Sequence, residues 1–100
     1  MVKHVVFWRL KDGAQGSSTA FKVKEMLEGL KAHIPEILEL EVGLNINPSD
    51  AAWDVALYSV FDSMEALRAY QMHPEHVKVA RFLGEVTLER AVVDYETRSS

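Results

Sequence analysis

The sequence contains no cysteine. This absence excludes disulfides, thiolate metal ligands and thiol nucleophiles, and it is compatible with either redox compartment. There is no run of 18 consecutive apolar residues, so we expect no membrane-spanning helix and no membrane partner. The opening segment also has too short an apolar run for a secretory signal. Together these features predict a cytoplasmic protein.

Basic residues are also few. Lys and Arg number 11 against 15 Asp and Glu, which gives a formal net charge of −4 at neutral pH. The basic residues are scattered singly or in pairs and form no stripe that could neutralise a phosphate backbone. We therefore expect no nucleic-acid partner.

Motifs for bound cofactors are absent as well. The sequence has no glycine-rich phosphate loop, no nucleophile elbow and no Ser-His-Asp set at a recognisable spacing. His73 and His76 form a His-x-x-His pair across a proline, but two ligands are fewer than the three or four that zinc requires. We expect neither a cofactor nor a metal.

Apolar periodicity is the strongest positive signal. The length and the 48% hydrophobic content are those of a single domain over residues 1–100. Alternation predicts strands near residues 2–11, 38–46, 53–61 and 87–96. Helical spacing predicts one helix over residues 19–33 and a second that starts near residue 62 and is broken at Pro74. The order β-α-β-β-α-β predicts an α+β, ferredoxin-like fold, with helices on one face of a four-stranded antiparallel sheet.

Local signals predict where the helices begin. Ser17 or Ser18 is a candidate N-cap for the first helix, and Asp62 with Glu65 three residues later resembles a capping box for the second. A proline favours the first position of a helix and displaces the preceding residue from the α region. We therefore expect His73 at a bend.

The sheet is predicted to be apolar on both faces. In the first strand, Val5 and Phe7 oppose the set His4, Val6, Trp8 and Leu10, whereas the acidic second strand has the pattern of a sheet edge. Helices cover only one face, which leaves an apolar surface uncovered, comprising Val5, Phe7, Ala56, Tyr58, Val60, Val93 and Tyr95. Because an exposed apolar face of this size usually marks an interface, we predict a homodimer.

A cluster of polar aromatic residues is the candidate site. His76 falls in the first turn of a helix, where the N-terminal dipole disfavours imidazolium, so the ring can accept a proton near neutral pH. Tyr70, at the end of the preceding helix, can orient a carbonyl or enol oxygen. His4 and Trp8 share one face of the first strand and would line the same cavity. The alternative interpretation is that His76 only bridges packed secondary structure and that the aromatic residues are core.

The sequence also resembles a known family. The segments that carry the resemblance are Val2 to Val6 with Lys11-Asp12, Phe61 to Glu65, the string Tyr-Gln-Met-His-Pro-Glu-His-Val from Tyr70 to Val77, and Val92 to Glu96. They are similar to the stress-responsive A/B barrel (Dabb) proteins of the dimeric α/β barrel superfamily. The resemblance implies a monomer that pairs sheet to sheet into a barrel-like homodimer, with a pocket between each sheet and its own helices.

The resemblance also suggests site residues. A plant polyketide cyclase of this family closes its substrate by aldol condensation without a cofactor; its catalytic histidine and tyrosine match His76 and Tyr70, and a pocket histidine matches His4. Strand and helix faces add further predicted lining residues, namely Trp8, Phe21, Trp53, Val55 and Leu57.

Two functions follow as hypotheses. The first is a homodimeric module of undetermined physiological role that binds a small apolar or aromatic molecule in this pocket. The alternative is a cofactor-independent acid/base enzyme of the aldol-type cyclase kind, with His76 as the base and Tyr70 orienting the carbonyl.

Overall fold

The computed structural model describes residues 1–13 and 17–98. The elements in chain order are β1 (Val2–Leu10), α1 (Ser18–Gly29), a 3₁₀ turn (Leu30–Ala32), β2 (Glu39–Leu44), β3 (Val55–Phe61), α2 (Met64–Met72), α3 (Pro74–Val86) and β4 (Thr87–Glu96). The four strands form one antiparallel sheet in the order β2-β3-β1-β4, and the helices pack on one of its faces. The predicted ferredoxin-like α+β fold is confirmed.

The central strand β1 separates the two faces of the sheet. His4, Val6 and Trp8 point to the helices and are 2%, 1% and 4% exposed, whereas Phe7 is 38% exposed on the opposite side. We call the first the helix-covered face. The second is the open face, and its residues in β1, β3 and β4 are Lys3, Val5, Phe7, Arg9, Ala56, Tyr58, Val60, Glu89, Ala91, Val93 and Tyr95. Val60, which was expected to be part of this exposed surface, is already buried at the end of β3.

The first helix begins as predicted and ends earlier. The Ser17 hydroxyl accepts a hydrogen bond from the Ala20 backbone N–H at 3.2 Å, so Ser17 is the N-cap. The helix predicted over residues 19–33 is α-helical only to Gly29. It then tightens into the 3₁₀ turn, where the His33 N–H donates to the Leu30 carbonyl.

The second helix is capped one residue later than predicted. Ser63 has extended backbone angles, and its hydroxyl accepts a hydrogen bond from the Ala66 N–H at 3.1 Å. The prediction of a capping box from Asp62 to Glu65 is therefore wrong. The short serine hydroxyl satisfies a first-turn N–H, and Asp62 lies one position outside the cap.

The bend at His73 is confirmed. His73 has extended backbone angles (φ −63°, ψ 137°) between α2 and α3, and its Nδ1 accepts a hydrogen bond from the Glu75 N–H at 3.1 Å. Pro74 begins α3 because its missing N–H would have no helical partner there. Across the bend, the ring of Tyr70 at the end of α2 lies close to the ring of His76 at the start of α3.

The two shorter strands are β2 and β3. β2 is an edge strand, as its acidic face predicted, but it stops at Leu44, and Ile46 beyond it is 88% exposed. β3 starts at Val55 instead of Trp53. The intervening loop is held by Asn45 and Asn47, whose side-chain oxygens accept backbone N–H groups two residues further on. These local bonds compete with strand pairing.

Candidate site between the sheet and the helices

Three polar aromatic side chains converge on one cavity between the helix-covered face and the helices. His4 comes from β1, Tyr70 from the last turn of α2, and His76 from the first turn of α3; all three line a cavity of about 230 Å³. The Tyr70 and His76 rings are 4.5 Å apart between centroids, and the His4 and Tyr70 rings are 6.1 Å apart. The bend at His73 brings Tyr70 and His76 together.

His4 is held by a residue 90 positions away in the chain. Its Nδ1 lies 2.5 Å from Oδ1 of Asp94, its Cα partner in β4. A carboxylate only accepts hydrogen bonds, so Nδ1 carries the proton in this pair. This hydrogen bond fixes the orientation of the His4 ring, which is almost fully buried.

His76 has the character of a base. Burial lowers the pKa of His76; a hydrogen bond with the Gln71 backbone opposes this shift, and the neighbouring His4 and Arg90 add to it. Its Nδ1 is buried and makes no hydrogen bond within the residues that the structure describes. A neutral imidazole nitrogen without a partner can accept a proton or a hydrogen bond from a ligand.

Tyr70 has the complementary character of a donor. Burial raises the pKa of Tyr70 to about 12, and the charge of Arg90 offsets part of this rise. The phenol is therefore protonated throughout the physiological range. A neutral phenol donates a hydrogen bond to a carbonyl or to a developing enolate oxygen.

The remaining wall is largely apolar. Besides the three aromatic residues and Trp8, the lining includes Val6, Leu27, Leu57, Val79, Ala80, Leu83, Gly84, Thr87 and Arg90. Of the lining residues, Ala80 and Gly84 on α3 and Arg90 on β4 are exposed, so the cavity reaches the surface on this side. Among these residues, Arg90 was missed in the sequence. The available signal was the alternation along β4: Val93 and Tyr95 were predicted on the uncovered face, so Arg90, an odd number of residues away from both, falls on the opposite face.

The predicted pocket residues divide into two groups. His4, Trp8, Leu57, Tyr70 and His76 line the cavity together. Phe21, Trp53 and Val55 do not line this cavity, so the placement of these three needs correction, although Val55 is buried on the helix-covered face as the Cα partner of Trp8. Phe21 lies on the outer side of α1 and is 64% exposed, because it is two positions from Val23 on the buried stripe.

Trp53 belongs to a different surface. It precedes β3, and the Arg9 guanidinium lies 4.4 Å from the centre of its ring. With Phe7, Ile46 and Val55, it borders a cleft of about 470 Å³ at the far end of β2 and β3. That cleft is larger than the first cavity, but among the described residues that line it only Asp54 is titratable, and Asp54 already accepts a hydrogen bond from the Leu10 N–H. The smaller cavity is therefore the better candidate for chemistry.

Neither a metal cluster nor a membrane span is found in the part of the chain that the structure describes. Over residues 1–13 and 17–98, no three His, Asp or Glu side chains are grouped so that they could hold a metal ion. Within the same ranges, no helix combines the length and the apolar character needed to cross a bilayer.

The fold and the site define a class of protein: an α+β, ferredoxin-like domain with a cavity between its sheet and its own helices. The family model described as the stress responsive A/B barrel domain (Dabb) matches residues 2–97. The chain therefore belongs to the Dabb family.

Two similar proteins have names that state no activity. A dimeric protein of unknown function from Bacteroides fragilis, with a ferredoxin-like fold, is 41% identical, with a TM-score of 0.83 and coverage of 96% of this chain and 95% of that one. A stress-response A/B barrel domain-containing protein of Arabidopsis thaliana is 29% identical over 84 residues, which are 81% of this chain but only 30% of the plant protein. This chain thus corresponds to less than a third of that relative's length.

A third neighbour carries an enzyme name. The hydroxynitrile lyase of Passiflora edulis has a TM-score of 0.82, with 22% identity over 99% of this chain and 94% of that one. At this identity the likeness concerns the fold alone.

Proposed function

We propose that this protein is a homodimeric domain that binds a small apolar or aromatic molecule between the sheet and its helices. The observation that carries the proposal is the convergence of His4, Tyr70 and His76 on one cavity with an apolar wall. A buried, unpaired acceptor beside a protonated phenol is costly in a packed core unless a ligand or water satisfies it.

The size of the cavity limits the ligand. Its volume of about 230 Å³ is below the roughly 300–1,000 Å³ of typical drug-sized sites. A single ring with one or two substituents fits these dimensions, and the bulk of Trp8 argues against a long extended chain.

The open face supports the homodimer. Phe7, Val93 and Tyr95 are 38%, 57% and 44% exposed on the side of the sheet that carries no helix. The similar protein from Bacteroides fragilis is described as dimeric. A second copy that packs its own open face on this one removes the apolar surface from water on both molecules.

A fragment screen by NMR tests the binding proposal. Amide shifts of the ¹⁵N-labelled protein are followed as single-ring aromatic fragments are added, first to the wild type and then to Leu83→Trp, which fills the cavity. We expect shifts grouped around the cavity lining in the wild type and their loss in Leu83→Trp, with Phe21→Trp as the exposed control. Shifts confined to the outer surface, or unchanged binding in Leu83→Trp when its fold is intact, would contradict the proposal.

The second candidate function is cofactor-independent acid/base catalysis. The specific observation in its favour is the unpaired Nδ1 of His76, in a ring whose pKa is lowered, next to the protonated Tyr70 phenol. In this scheme His76 removes a proton from the carbon beside a substrate carbonyl, while Tyr70 donates a hydrogen bond to the carbonyl oxygen as it gains charge. The enolate carbon attacks a second carbonyl of the same molecule, and the imidazolium returns its proton to the new alkoxide.

Proton exchange tests this second candidate without knowledge of the natural substrate. Acetophenone is incubated with the protein in D₂O, and loss of the methyl proton signal is followed by NMR. The expected result is exchange faster than in buffer, reduced about a hundredfold in His76→Ala and unchanged in His33→Ala, whose histidine is exposed. A wild-type rate equal to that in buffer, or equal rates for wild type and His76→Ala, would remove the acid/base assignment.

A further inference from the structure

Arg90 is the only permanently charged side chain among the described residues that line the cavity. It lies on β4 opposite Trp8, which is its Cα partner in β1, and therefore on the helix-covered face. Helices cover little of this edge of the sheet, and Arg90 remains exposed. The guanidinium thus stands where the cavity meets solvent.

No acid neutralises Arg90 within the described residues. The two nearby carboxylates on β4 have other partners: Glu89 pairs with Arg9 at 2.8 Å on the open face, and Asp94 holds His4. The positive charge of Arg90 also extends into the cavity, since it contributes to lowering the pKa of both Tyr70 and His76. A cation with free N–H donors beside an apolar cavity is a receptor for an anion.

We propose that the ligand is a small planar carboxylic acid, aromatic or conjugated, whose carboxylate binds Arg90 while its ring enters the cavity toward Tyr70 and His76. This inference rests on the proposed binding function and adds the chemical class of the ligand. The rings of Trp8, Tyr70 and His76 favour a planar body. The guanidinium fork matches one carboxylate in a bidentate manner.

The alternative anions fit less well. A phosphate ester carries nearly two charges, and here it would meet one arginine in a protein with a net charge of −4. The cavity lining contains no lysine and no second arginine within the described residues. One monovalent carboxylate balances one guanidinium, and the apolar remainder of the cavity accommodates the ring.

A matched pair of probes separates the carboxylate from the ring. Benzoate and benzamide have nearly the same shape and differ in charge, and each is titrated by NMR into wild type, Arg90→Gln and Arg81→Gln. Arg81 is exposed on α3 and does not line the cavity, so Arg81→Gln controls for the loss of one positive charge. Inorganic phosphate and acetate are added as competitors of benzoate in separate titrations.

The expected result is that wild type binds benzoate about fivefold more tightly than benzamide, because the ion pair is partly exposed. Arg90→Gln should bring benzoate to the affinity of benzamide and leave benzamide unchanged. Arg81→Gln should match wild type for both probes, and the preference for benzoate should weaken as salt is raised.

The outcomes distinguish the two proposals. Equal binding of both probes, with no effect of Arg90→Gln, would overturn the carboxylate assignment and leave the proposed binding function standing. Absence of cavity shifts with either probe in wild type would overturn both. Displacement of benzoate by phosphate at lower concentrations than by acetate would replace the carboxylate with a phosphate group.

Discussion

The two faces of the sheet carry similar apolar residues and have opposite environments. On β1, His4, Val6 and Trp8 are at most 4% exposed, while the alternate residue Phe7 is 38% exposed, and Val93 on the same face of β4 is 57% exposed. One strand therefore supplies both surfaces. The difference arises from the helices, which cover one face only.

The two faces of the sheet are suited to different roles. On the helix-covered face, burial stabilises the fold and encloses the polar group formed by His4, Tyr70 and His76. On the open face, the same kind of residue remains available for a second copy of the chain. A substitution on one face should therefore affect a property that a substitution on the other leaves nearly unchanged.

The largest expected effect is on association through the open face. Val93→Glu places an unpaired charge in the proposed interface of both copies, so we expect the dimer to weaken by about three to four orders of magnitude. Multi-angle light scattering at micromolar concentration should then give the mass of a monomer. Val77→Glu is the matched control on α3, where the valine is 43% exposed, and should stay dimeric. A wild-type monomer, or a dimeric Val93→Glu, would contradict the interface.

The next effect concerns the core of the helix-covered face. Phe61 is fully buried at the end of β3, with its ring 4.9 Å from that of Tyr70. Phe61→Ala should lower the free energy of unfolding by about 3–5 kcal/mol through lost burial and the cavity left behind. Urea denaturation at a fixed protein concentration measures it. Phe21 is exposed, so Phe21→Ala should change the free energy of unfolding by less than about 0.5 kcal/mol. Similar losses for the two variants would contradict the burial assigned to Phe61.

Removing an ion pair on either side of β4 should lower the free energy of unfolding by a smaller amount, which differs between the two sides. Asp94→Ala leaves the Nδ1–H of the buried His4 without its acceptor, which should cost about 1–3 kcal/mol. Glu89→Ala removes the more exposed partner of Arg9 on the open face and should cost about 1 kcal/mol or less. Both are measured by urea denaturation under the same conditions. A larger loss for Glu89→Ala would reverse the predicted order.

The smallest expected effect is on the pH dependence of stability. Because the pKa of His76 is lowered in the folded state, the unfolded chain binds the proton more readily. Stability contributed by neutral His76 is therefore complete above the unfolded pKa of about 6.5 and is lost as the pH falls through the lower folded pKa. Thermal unfolding between pH 8 and pH 5 should show a shallower decline in His76→Gln than in wild type. His33→Gln should follow wild type, and an equal decline in all three proteins would exclude the effect.

Local signals predicted the elements well. Period-two alternation identified all four strands, because alternate side chains of a strand must point to opposite faces. The prediction of a bend at His73 succeeded for a similar reason, since the proline restricts the residue before it whatever surrounds them. The errors at Asp62 and Ile46 concern element ends, where side-chain hydrogen bonds to the backbone decide the last residue.

The site was only partly predictable. His4, Trp8, Tyr70 and His76 were assigned to one cavity, and the structure brings them together. Phe21 was misplaced because two positions along a helix are about 200° apart, which puts Phe21 on the side opposite Val23 and the buried stripe. The pairing of His4 with Asp94 depends on the register of β1 against β4, which alternation alone does not specify.

The sequence by itself therefore determined the order of elements, the two-sided character of β1 and the bend that brings Tyr70 and His76 together, because each depends on neighbours within a few residues. Only the tertiary structure decided which face the helices cover, that Asp94 holds His4, and that Arg90 stands at the cavity mouth. Those relations join residues on strands and helices far apart in the chain, and they arise from strand register and packing across the whole sheet.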